Sequence, residues 1–194
     1  MINMKFFKHK RYRIFAVILV LILSMSQPVL AEQGENIWPF GIAAETGYSG
    51  SGVRVALIDT GVSLKYIDET HVSDGTNYVF PDGSTDDLIG HGTAIAGIIL
   101  GSERLGLKGI APGAEIVPLV YYSRHISGVP ANGGVDAICN AIYDAVDIYG
   151  CRIINISSGV LYDDENLRAA IAYAEEKNAV VISAVGNTKP HFTG

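Results

Sequence analysis

Beyond its first fifty residues the chain alternates short apolar runs with stretches of helical period. Residues 53–58, 115–121, 152–157 and 179–185 are rich in Val and Ile and predict strands; apolar positions three and four apart predict helices over 91–100, 135–149 and 164–177. Near-continuous apolar strands are strands covered on both faces. Their alternation with helices therefore predicts an α/β fold, a doubly wound and mostly parallel sheet with helices on both sides. The last helix opens on Asp163, Asp164 and Glu165. Acidic residues favour a helix N-terminus through the macrodipole, so this trio reads as a cap and not as a metal cluster.

The segment before that region has a different pattern. Lys5, Lys8, Lys10, Arg11 and Arg13 precede a ten-residue apolar run, Ile14 to Leu23, and Val29-Leu30-Ala31 follow after Ser24, Ser26, Gln27 and Pro28. Charge, apolar run and small-residue site in that order predict a secretory signal over residues 1–31, cleaved after Ala31. A membrane anchor needs about 20 apolar residues, twice what this run supplies. Residues 32–50, with Trp38-Pro39-Phe40, are expected to form an arm leading into a folded domain over 51–194.

Composition narrows the function classes. A chain that is 48% hydrophobic and 18% charged is a folded globular chain, which excludes disorder and a coiled coil. Five of the 14 basic residues lie in the first 13 positions, where no acid occurs, so the rest carries nine against 20 acids, a net of −11. Nucleic acid and anionic lipid need clustered Lys and Arg and are dropped as partners, leaving no membrane role beyond the export signal. Cys139 falls early in a predicted helix and Cys151 just past its end, separated by a helical rise of roughly 15 Å. A disulfide needs Cα atoms about 4.4 to 6.8 Å apart, so two separate buried thiols are expected.

The candidate chemistry lies where strands end. In open α/β sheets functional side chains collect beyond the carboxyl ends of the strands, and Asp59 follows the apolar run Val55-Ala56-Leu57-Ile58. Aspartate in that place also serves as a turn former. His91 stands at the start of an apolar helix, where the positive end of the dipole disfavours an imidazolium and suits a neutral ring that accepts a proton; a capping or core histidine is the plainer explanation when the motif stands alone.

Together, Val55 to Val62 (VALIDTGV) and His91 to Gly97 (HGTAIAG), with His91 placed 32 residues after Asp59, resemble the subtilisin-like serine peptidases in wording, order and spacing. The resemblance extends to Gly109 to Ala114, to Ile154-Asn155-Ile156-Ser157-Ser158-Gly159, similar to that family's substrate-binding segment, and to Val180 to Asn187, similar to the strand carrying its oxyanion asparagine. It implies that Asp59 orients His91, that His91 takes a proton from a serine hydroxyl, and that Asn187 donates to the developing oxyanion. It also implies that Ser157, Ser158 and Gly159 present backbone groups to an extended protein or peptide substrate. Family members more often carry a larger apolar residue where Ser158 stands. Asn155-Ile156-Ser157 matches a glycosylation sequon, but inside a strand predicted to be buried it is discounted.

No cofactor is expected. Asp68 stands where some relatives place a calcium ligand, but Gly101 to Leu107 carries Arg104 and lacks the oxygen-rich pattern that six to eight ligands require, so no metal is assigned. The family's nucleophile lies in a Gly-Thr-Ser motif opening a later helix. Nothing of that form occurs among these 194 residues, Ser183 lying within a strand. The chain is therefore expected to be a truncated peptidase domain, incomplete at its C-terminus and inactive alone, with a complementing C-terminal fragment as a further partner. A secreted peptide-binding protein without catalysis is the alternative, and coincidence of motifs on an unrelated α/β binding domain a third. Loss of the nucleophile's helix is expected to open the apolar faces at residues 56–58, 153–156 and 180–182 to water.

Overall fold

The computed structural model describes residues 47–125, 127–159 and 162–184. The expected export signal over 1–31, most of the expected arm over 32–50 and Asn187 lie outside these described residues. Five strands form one sheet, all pairs parallel: β1 (Arg54–Asp59), β2 (Thr76–Asn77), β5 (Glu115–Val120), β8 (Ile153–Ile156) and β9 (Val180–Ser183), in the order β2-β5-β1-β8-β9. β1 is central. Its residues Ala56, Leu57 and Ile58 are fully buried, because the sheet is covered on both faces there.

The faces are divided by the alternation of side chains along each strand. Val55, Leu57 and Ile116 point toward α1 (His91–Leu100) and pack with its Ala96 and Leu100. Ala56, Ile58, Val117, Leu119, Ile154 and Ile156 point the other way, into the larger core built with α2 (Gly134–Asp147) and α3 (Glu165–Glu176). The doubly wound arrangement expected from the sequence is thus present. The chain runs from β1 through β2 to α1 on one face, whereas β5 and β8, the neighbours of β1, lead to helices on the other, which opens a crevice at the carboxyl end of β1.

Two small antiparallel hairpins complete the set, β3 (Gly101–Ser102) with β4 (Leu107–Lys108), and β6 (Tyr122–Arg124) with β7 (Pro130–Asn132). The acidic trio caps α3: Asp164 accepts the Leu167 N–H at 3.0 Å, while Asp163 pairs with Arg168. Cys139 and Cys151 are separate buried thiols, and burial pushes Cys151 up to about 12. One expectation is corrected. The faces at 56–58 and 154–156 stay closed between α1, α2 and α3, and of these three strands only β9 exposes large apolar side chains, Val180 being 58% and Ile182 51% exposed. Val181 packs into the larger core, and no described helix covers β9 on the face carrying Val180 and Ile182.

Candidate active site

The chain leaves β1 through Asp59, only 2% exposed, and turns at Thr60-Gly61. Asp59 Oδ1 accepts the Thr60 N–H at 2.8 Å and meets Nδ1 of His91 at 2.7 Å. An ionised carboxylate only accepts, so the proton on this pair sits on His91 Nδ1 and the lone pair on Nε2. The aspartate is buried while the histidine side chain is 53% exposed. The ring is thereby held from one side and open on the other, the arrangement needed to take a proton from a group arriving from solvent.

Backbone contact between the β1 turn and the first turn of α1 sets that geometry. A Cβ on Gly92 would lie 2.2 Å from the Gly61 carbonyl oxygen and 3.3 Å from the Asp59 Cβ. Gly61 itself has φ +109° and would place a Cβ 2.4 Å from the Thr85 oxygen, so both positions require glycine. The helix is not capped by the residue preceding it, Gly90, which offers no side chain. The Asp87 carboxylate caps it instead, accepting from the Ile89, Gly90 and Thr93 N–H groups at 2.9, 2.7 and 2.8 Å.

The neighbouring strands bring two further segments to this end of β1. From β8 come Ser157, whose hydroxyl accepts from Asn155 Nδ2 at 2.8 Å, Ser158, whose carbonyl accepts from the Ser183 hydroxyl at 3.3 Å, and the exposed Gly159. Ser158 Oγ is buried without a hydrogen bond among the described residues. From β5 comes Tyr121, whose N–H donates to the Asp59 carbonyl at 3.1 Å and whose chain continues into the β6–β7 hairpin. Burial raises the Tyr121 phenol above its ordinary value; the neighbouring Ser158 hydroxyl opposes this and the Asp59 charge adds to it. Tyr121 and Asp87 had no signal in sequence: Tyr121 acts through Asp59, far away in the chain, and Asp87 caps α1 from outside it, ahead of Gly90.

The remaining candidates lie elsewhere. Among the described residues no hydroxyl is hydrogen-bonded to His91, and Ser183 belongs to β9. Asp68 caps the 3₁₀ turn Glu69–His71, accepting from the Thr70 N–H at 2.9 Å and the Thr70 hydroxyl at 2.8 Å. A cavity of about 280 Å³ runs along α1 between Tyr66, Ala94, Gly97, Leu105 and Leu107; Asp87 and Thr93 of the helix cap reach its wall, but Asp59, His91, Ser157, Ser158 and Gly159 do not.

Residues 50–194 match the model of the subtilase family, Peptidase_S8. Among curated proteins the chain is similar to Mycosin-4 of Mycobacterium tuberculosis (strain ATCC 25618 / H37Rv), 38% identical over 154 residues, which is 72% of this chain and 33% of that protein. It is also similar to Subtilisin Savinase of Lederbergia lenta, 32% identical over 147 residues, 75% of this chain and 52% of that protein. Among solved structures, fervidolysin from Fervidobacterium pennivorans, described as a keratinolytic enzyme related to subtilisin, superposes with a TM-score of 0.65 at 30% identity, covering 76% of this chain and 23% of that one. The chain spans a third to about half the length of the two curated relatives.

Proposed function

The chain belongs to the subtilase family, and from that premise we propose that it is the part of a secreted serine endopeptidase that carries the acid–base pair, with Asp59 and His91 in catalytic roles. The observation that supports this most is the 2.7 Å contact from a buried carboxylate to the half-exposed ring that opens α1. Asp59 holds the Nδ1–H tautomer and stabilises the imidazolium; His91 Nε2 accepts the proton of a serine hydroxyl and returns it to the leaving amine. Asn187 supplies an oxyanion donor. Ser157, Ser158 and Gly159, leaving the strand beside β1, offer backbone groups to an extended peptide, which adds to them as a strand would.

The domain assignment follows: signal 1–31, arm 32–50, peptidase segment 51–194. No metal is assigned, since Asp68 is engaged with Thr70. None of the serines in these 194 residues stands in a Gly-Thr-Ser motif. Alone, the chain leaves His91 without a hydroxyl to activate, and a triad acts as a unit. Purified residues 32–194 are expected to hydrolyse casein at background and to take no label from a fluorophosphonate. Labelling of a serine that His91→Ala abolishes contradicts this. Tight peptide binding with no labelling, even after a complementing C-terminal fragment is added, favours the non-catalytic reading.

A further inference from the structure

The Asp87 carboxylate does more than cap a helix. Besides its three backbone donors, its Oδ2 accepts the Thr93 hydroxyl at 2.7 Å and its Oδ1 accepts the Thr60 hydroxyl at 2.9 Å. Thr60 is the residue that follows Asp59 and is 4% exposed. Its single hydroxyl proton goes to Asp87, because an ionised carboxylate can only accept. That commits the hydroxyl's lone pairs to the other side, where they accept the Gly92 N–H at 2.8 Å. The Thr60 N–H meanwhile donates to Asp59 Oδ1, the same oxygen that holds His91.

Thr60 thus touches both halves of the pair, the carboxylate through its N–H and the peptide after His91 through its hydroxyl. We propose that Asp87 is a positioning residue for the Asp59–His91 pair, acting through the Thr60 hydroxyl to fix the peptide that carries the His91 ring. The proposal rests on the reading of that pair as acid–base machinery only for its consequence, not for its geometry. Burial raises the Asp87 carboxyl, but the hydrogen bonds from Gly90, Thr93 and Ile89 outweigh it and hold the group below its ordinary value. It is therefore an anion, and an acceptor only, at neutral pH. A cap alone would need neither the Thr60 hydroxyl nor its relay to Gly92. Asp164, the carboxylate capping α3, has no such link: its oxygen accepts from Leu167 within its own helix.

That difference supplies the control. The full chain is labelled with ¹⁵N-histidine, His91 is assigned by its loss in His91→Gln, and the Nδ1–H to Nε2–H tautomer ratio is read at a pH where the ring is neutral. The unmodified chain, Thr60→Ser and Asp164→Ala are expected to keep the Nδ1–H form. Thr60→Val, of the same shape without the hydroxyl, and Asp87→Ala are expected to lower the ratio about tenfold, the worth of one lost buried hydrogen bond. Amide exchange separates this from unfolding: Gly92 loses protection in both variants while Ile142 in α2 keeps it. Should Asp87→Ala unfold, the Thr60→Val and Thr60→Ser pair decides. An unchanged ratio in folded Thr60→Val overturns the proposal, as does an equal loss in Asp164→Ala. The ring itself is observed and not peptide cleavage, so failure of the catalytic assignment would leave this result intact and separately visible.

Discussion

Gly92 has no room for a methyl group, since the atom in its way at 2.2 Å is a backbone oxygen and cannot swing aside. Gly92→Ala is expected to lower stability by about 1 to 3 kcal/mol, the cost of overpacking a close contact, and to push His91 off Asp59; a thermal melt with and without the substitution measures it. Asp87 predicts a pH dependence. Its folded value is depressed, so its contribution is complete above the unfolded value near 3.8 and is lost as pH falls through the lower folded value. The Thr93 and Gly92 amides are expected to lose protection below that pH, while the Ile142 amide in α2 outlasts them. Protection that holds equally at all three amides would contradict the role of the anion. Asp59 and His91 were legible in sequence because their local strings are distinctive. Asp87 and Tyr121 were not, because an aspartate three residues ahead of a glycine and a tyrosine after a strand acquire their meaning from Thr60 and Asp59, which only the fold brings near.

At the scale of elements, the long ones were readable and the short ones were not. β1 and β5 are buried on both faces, so their apolar runs are continuous; β8 is buried on one face and its run is broken only at Asn155, and α2 shows its stripe in Ala137, Ile138, Ala141, Ile142 and Ala145. The two hairpins and β2 have two or three residues per strand, too few for any period to appear. The expected strand over 115–121 stops at Val120, where Tyr121 turns to bond the end of β1. The cap of α3 was visible because Asp164 acts on its own first turn, whereas the cap of α1 sits four residues before His91 behind a glycine. Asp164→Ala is expected to cost about 1 kcal/mol. A denaturant midpoint that does not move would show that Arg168, paired with Asp163, holds the helix start without it.

For the molecule as a whole, the sheet is closed wherever α1, α2 and α3 reach it and open at β9, where Val180 and Ile182 face water. Each hundred Å² of such surface that a further segment covered would be worth roughly 2.5 kcal/mol, so a complementing part of the kind proposed would gain binding energy by packing there. This joins the half-length match to the chemistry: the pair at Asp59 and His91 is preformed, and a hydroxyl delivered to Nε2 would complete it. The most direct measurement fuses or co-expresses this chain with a C-terminal segment carrying the family's Gly-Thr-Ser nucleophile and compares peptide hydrolysis with Asp59→Ala and His91→Ala. The expected result is hydrolysis that His91→Ala lowers on the order of 10⁶-fold and Asp59→Ala on the order of 10⁴-fold, magnitudes taken from subtilisin's own triad; hydrolysis that survives His91→Ala, or a folded assembly that neither cleaves peptide nor takes a fluorophosphonate label, would contradict the assignment.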